Sequence, residues 1–137
     1  MSIVLCLCGT IGCLISLYFT LVYYKFINAD QWFLPRVCKM DEGMCQMIIH
    51  TRDAGMFGIP NFVLGLVYYL AIIFYANVSF LQQTMYINNF LLFVSRGTVI
   101  LGVYLSYSLL FKVKTLCVLC FSCHILNLIL MILLLSK

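Results

Sequence analysis

Charge is confined to a few places in this chain, and that confinement limits its folds more than any other feature. Residues 1–24 carry no charged side chain, and neither do residues 54–95. The polar stretch 25–56 holds eight of the twelve charged residues, including every acid: Asp30, Asp41, Glu42 and Asp53. A soluble domain is charged at about a quarter of its positions. Here 9% of residues are charged and 65% are apolar, which excludes a water-soluble globule and a disordered tail. The net charge of +4 is too sparse to track a phosphate backbone, so nucleic acid is excluded as a partner.

A membrane-spanning helix needs roughly 20 apolar residues. The 137 residues therefore hold four spans, five at most, and one sizeable loop, with no room for a soluble catalytic domain. The expected fold is an all-α integral membrane protein: a four-transmembrane-helix bundle forming a single domain over 1–137. One large extracytoplasmic loop joins its first two helices.

Spans are expected at about 3–24, 57–80, 86–111 and 115–135, with the loop at 25–56. The first run lacks a basic start and a small-residue cleavage site, so it reads as a mature helix rather than a signal peptide. Trp32 suits a membrane interface, and Pro35 and Gly43 interrupt any long helix in the loop. Arg96 falls inside the third span, where a charge faces the bundle or snorkels to the interface.

Two crossings separate loop 25–56 from the start of the fourth span, so both lie on one side of the membrane. That side carries Lys25, Arg36, Lys39, Arg52, Lys112 and Lys114, which by the positive-inside rule would be cytoplasmic. The cysteines argue the reverse, because lasting disulfides belong to oxidising compartments. Thiol chemistry outweighs the sparse charge bias, so the redox cysteines are expected on the extracytoplasmic side.

Eight cysteines populate the chain. Cys6, Cys8 and Cys13 read as small hydrophobes of the first span. Cys117 and Cys120 form a C-x-x-C at the head of the last span, neighbours on one helix face. The positive end of the helix dipole favours a thiolate there, as a redox-cycling dithiol requires. Cys38 and Cys45 lie in the polar loop with six residues between them. A loop pair on the same side as a helix-capping pair suits a relay by thiol–disulfide exchange, although a static staple would also place two cysteines there.

At about 100° per residue, Cys117, Cys120, His124 and Asn127 fall within an arc of roughly 80°. Two sulfurs thus share a face with an imidazole and an amide, either of which can hydrogen-bond a carbonyl oxygen. Interhelical bonding is the plainer use of such residues. Cys120-Phe-Ser-Cys123-His124 also matches the C-x-x-C-H of haem attachment, and a soft metal could use the same Cys and His side chains. A metal- or haem-binding bundle therefore stays open as an alternative on the residues alone, although no metal site is expected.

The cysteine-bearing loop, Thr51, the run from Phe57 through Gly-Ile-Pro-Asn61 to Tyr69, and the final C-x-x-C together resemble the vitamin K epoxide reductase family over about residues 5–135. The resemblance implies a four-helix bundle with a quinone beside the C-x-x-C dithiol. It implies that Cys120 reacts with the quinone, that Cys117 is its resolving partner and exchanges with Cys45, and that Cys38 receives electrons from a thioredoxin-fold protein. It assigns Phe57 and Asn61 to the quinone and gives Thr51 the task of holding the loop near the site. His124 stands where vertebrate members carry tyrosine, which puts the identity of the quinone in question. No thioredoxin-like domain is fused to this sequence, so the thiol partner is expected to be a separate protein.

The resulting expectation is a membrane thiol oxidoreductase. It passes electrons from a thioredoxin-fold partner through Cys38/Cys45 and Cys117/Cys120 to a quinone and so supports disulfide formation. The quinone (menaquinone, ubiquinone or vitamin K) is substrate, with no tightly bound cofactor. A bacterial inner membrane is the favoured location. The alternative is reduction of vitamin K quinone or its epoxide in the endoplasmic reticulum.

Overall fold

The computed structural model describes residues 2–26, 55–56, 58–78, 83–114 and 118–136. Four helices account for nearly all of them: α1, Ser2–Tyr23; α2, Asn61–Asn77; α3, Met85–Tyr107; and α4, Val118–Leu135. A π-helical turn, Ser108–Val113, continues α3, so that one helical rod runs from Met85 to Lys112. This rod, α1 and α4 are long and apolar enough to cross a membrane, whereas α2 has 17 residues. Cys38, Cys45, Thr51, Phe57 and Cys117 lie outside the described residues, as does nearly all of loop 25–56.

The second helix starts later than the expected 57, and the reason is local. Strands β1, Gly55–Met56, and β2, Ile59–Pro60, pair antiparallel with Gly55 opposite Pro60 and Met56 opposite Ile59. The turn between them passes through Gly58 at φ +80°, a left-handed conformation that glycine adopts without cost. Pro60 disfavours helical backbone at the residue before it, which holds Ile59 extended. Pro60 itself is the N-cap (φ −60°, ψ 138°), so the hairpin delivers Asn61 as the first helical residue. At the other end the Asn77 side chain donates to the carbonyl of Ile73 at 2.8 Å, and Val78 turns extended.

In a bilayer, lipid tails are as apolar as leucine, so helices associate through close packing and hydrogen bonds more than through burial. The α1–α2 contact follows that rule. A β-carbon at Gly9 would lie 3.0 Å from Ile73, one at Gly65 would lie 3.2 Å from Ser16 Oγ, and one at Gly12 would clash with the Tyr69 ring. These pairings run in opposite chain directions, so α1 and α2 are antiparallel. The α3 and α4 helices pack along each other in the same manner, with Gly102 against His124.

The α2 and α3 backbones stand apart and are joined by side chains. Tyr68 donates to Ser95 Oγ at 2.9 Å, and Tyr75 donates to Asn88 Oδ1 at 2.9 Å.

Two apolar clusters close the bundle. At one end Leu5, Ile72, Tyr75, Leu91, Leu130 and Leu134 are buried together, with Cys6, Cys8 and Cys13 packed against them as small hydrophobes. At the other end Phe19, Val22 and Leu109 meet Tyr23, Phe62, Leu119 and Cys120. The end of α1 and the starts of α2 and α4 are therefore at the same end of the bundle. Arg96, for which a bundle-facing position was one expectation, is exposed on the outer face of α3. The outer faces are mostly apolar, with Leu7, Val67, Phe74 and Phe93 more than half exposed.

Candidate active site

Between the two clusters the helices enclose a cavity of about 600 Å³. That is within the range of small-molecule sites, roughly 300–1,000 Å³. Its wall is mostly apolar, from residues such as Phe62, Leu64, Val94 and Leu101. Polar groups interrupt it, among them Asn61 and Tyr69 from α2, and Cys120, Cys123, His124 and Asn127 from α4.

The arc expected on the last helix is realised as far as it is described, because Cys120, His124 and Asn127 all line this one cavity. Cys120 sits at its loop-side end, in the cluster with Phe19 and Leu109. The hairpin sets Asn61 at the same end, with its side-chain oxygen buried. His124 lies four residues further along α4, where its ring fits against Gly102 of α3 and meets Phe121 edge-on at 6.5 Å. Its Nδ1 is buried, with no hydrogen-bond partner among the described residues. The missing β-carbon at Gly102 makes that room, since an added one would lie 2.8 Å from Nδ1.

Two residues join the site that sequence reasoning did not assign to it. Tyr69, 1% exposed, donates to Asn127 Oδ1 at 2.7 Å and reaches the Cys123 carbonyl at 3.4 Å. The Cys123 side chain also meets the Tyr69 hydroxyl, and Cys123 lines the cavity beside Cys120. Both were within reach of the helical wheel. Asn61, Gly65, Tyr68 and Tyr69 form an i, i+4, i+7, i+8 stripe, and widening the α4 arc to about 120° takes in Cys123. Among the described residues no three His, Cys, Asp or Glu side chains converge as a metal site would require.

The cavity also reaches the outside of the bundle. Leu64 and Val67 of α2 and Phe90 of α3 line it while being 40–66% exposed, and Gly97 lines it from an exposed position on α3. The gap therefore lies between α2 and α3, the two helices whose backbones stand apart. It is an apolar opening in a surface that is itself apolar. A ligand coming through it would leave hydrocarbon surroundings, pass an apolar rim, and find hydrogen-bonding groups and a thiol only inside.

A search of curated proteins finds no match to the chain. The model of the vitamin K epoxide reductase family matches residues 3–135, nearly the whole sequence. With its three long apolar helices and its thiol-lined cavity, the chain belongs to the vitamin K epoxide reductase family and is an integral membrane oxidoreductase of the quinone-linked kind.

Proposed function

We propose that this protein oxidises thiols on a separate thioredoxin-fold partner and delivers the electrons to a membrane quinone, thereby supporting disulfide formation. The observation that carries the reading is the position of Cys120. It shares with Asn61 and His124 a 600 Å³ apolar cavity that opens between α2 and α3. A lipid-soluble acceptor fits such a site, because it travels in the bilayer and needs donors only at its carbonyl oxygens.

The cycle balances as a chain of exchanges. Two thiols of the partner reduce a Cys38–Cys45 disulfide and leave as the partner's own disulfide. The Cys45 thiolate then attacks Cys117 in a Cys117–Cys120 disulfide, reforming Cys38–Cys45 and releasing Cys120 as thiolate. The Cys117/Cys120 dithiol passes two electrons and two protons to the quinone, closing its own disulfide and leaving hydroquinone. Asn61 and His124 donate hydrogen bonds to the quinone oxygens, Phe57 packs against its ring, and Thr51 holds the loop near the site. This reading counts α2, extended by its hairpin, as the second of four crossings. Loop and dithiol then face the extracytoplasmic side of a bacterial inner membrane.

The reading is tested by quinone reduction with dithiothreitol as electron donor, comparing wild type with Cys120→Ala on menaquinone, ubiquinone and vitamin K epoxide. Turnover that disappears in the variant supports it and identifies the acceptor. Turnover with epoxide alone favours the endoplasmic-reticulum alternative. Folded protein that reduces none of the three overturns the reading.

A further inference from the structure

Tyr69 is among the most deeply buried side chains of the protein although it carries a hydroxyl. Its ring lies over the notch at Gly12, and the hydroxyl crosses from α2 to α4 to end 2.7 Å from Asn127 Oδ1. A phenol has one proton to donate, and the short distance assigns it to Asn127 rather than to the Cys123 carbonyl at 3.4 Å. That bond sets the sense of the amide. With the oxygen engaged by Tyr69, the N–H groups are what Asn127 offers to a further acceptor.

Asn127 and Tyr69 both line the cavity, on the wall that also carries Cys120 and His124. Seven residues at 1.5 Å rise put Asn127 about 10 Å along α4 from Cys120. A quinone ring near Cys120 carries its two carbonyl oxygens on opposite sides, so one of them is directed away from the loop end. A carbonyl oxygen accepts two hydrogen bonds, so beside the one from His124 it has room for a second donor. An amide free to turn over would present its own oxygen to that site in one of its two orientations.

We infer that Tyr69 is a positioning residue of the quinone site, holding the Asn127 amide so that its N–H groups meet the quinone oxygen on the side away from the loop. The inference rests on the quinone reading. Tyr69 touches the amide, and the amide touches the substrate.

The test uses the full chain and compares Tyr69→Phe, Asn127→Leu and the double variant, with quinone and dithiothreitol each varied in turn. The phenyl ring of Tyr69→Phe still fills the Gly12 notch, so only the hydroxyl is removed. In a ping-pong cycle the kcat/KM for each substrate reports its own half-reaction. Tyr69→Phe is expected to lower kcat/KM for the quinone about tenfold, the equivalent of one lost hydrogen bond, and to leave that for dithiothreitol unchanged. In the Asn127→Leu background, Tyr69→Phe is expected to add no further loss, because the tyrosine acts through the amide.

Wild-type quinone kinetics in Tyr69→Phe would overturn the inference. So would an equal fall in both kcat/KM values, which marks a general loss of structure, or a full further loss in the double variant. Should Tyr69→Phe fail to fold, normal quinone kinetics in Asn127→Leu alone would also overturn it. None of these outcomes touches the quinone reading itself, which fails only if the wild-type protein reduces no quinone.

Discussion

Gly102 of α3 and His124 of α4 are fitted to each other: the imidazole lies so close that a β-carbon added at Gly102 would stand 2.8 Å from Nδ1. The ring is a rigid body and cannot yield as the end of a flexible side chain would. Gly102→Ala should therefore displace it, at an overpacking cost of about 1–3 kcal/mol. Thermal unfolding in detergent should show the loss, and quinone kcat/KM should fall with it. Adding His124→Ala to Gly102→Ala should restore most of the stability and none of the quinone turnover. Wild-type stability in Gly102→Ala would show that the two helices separate freely.

The α1–α2 contact should be far less tolerant at Gly12 than at Gly9. A β-carbon at Gly12 meets the ring of Tyr69, which is buried and hydrogen-bonded at its far end, so α1 must move as a whole. At Gly9 it meets the end of the Ile73 side chain at 3.0 Å, which can change rotamer. Gly12→Ala should cost about 3 kcal/mol, the upper part of the overpacking range, and Gly9→Ala about 1 kcal/mol or less. Parallel unfolding curves of the two variants would measure the difference, and equal costs would contradict the packing described.

Gly97 borders the cavity where it opens between α2 and α3, and among the described residues no atom beyond its own stretch of helix lies within 4 Å of where its β-carbon would be. Gly97→Leu should consequently leave the fold intact while narrowing the opening. If quinones enter there, kcat/KM for a long-tailed quinone should drop several-fold more than for a tailless analogue, with dithiothreitol kinetics unaltered. Equal effects on the two quinones would place the route of entry elsewhere.

The Tyr68–Ser95 bond is one of the ties across that gap, and Ser95 is fully buried. Thr98 also hydrogen-bonds Tyr68, so a substitute acceptor is already at hand. Ser95→Ala should then cost only about 0.6 kcal/mol, a usual value for an interhelical bond in a membrane protein. Ser95→Ala with Thr98→Val strands the buried hydroxyl and should cost about 1–3 kcal/mol. Stability measured on the single and double variants would show the expected non-additivity, and simple additivity would refute the shared role of Thr98.

Much of this architecture is legible in the residues taken in order. The apolar runs give α1, α3 and α4 to within a few residues, because an unbroken helix is the form in which a chain satisfies its backbone inside a bilayer. The placing of Cys120, His124 and Asn127 on one wall is equally local, since it follows from 3.6 residues per turn and nothing else. The late start of α2 was also written in the chain, in the Gly58-Ile59-Pro60 step, but it takes the pairing of Ile59 with Met56 to turn that step into a hairpin.

What only the tertiary structure decided is which face of each helix turns inward. In a soluble bundle the apolar stripe marks the core, whereas here the lipid face is as apolar as the packed one, and the sequence carries little contrast between them. That Arg96 is exposed while Ser95 beside it is buried could not be read from hydropathy. Nor could the pairing of Tyr69 with Asn127, 58 residues apart, or the fit of His124 to Gly102. Both depend on the distance between two helix axes, which is set by where small residues happen to face each other across the bundle. The sequence determined the helices and the chemistry carried on each; their mutual approach made one cavity out of them.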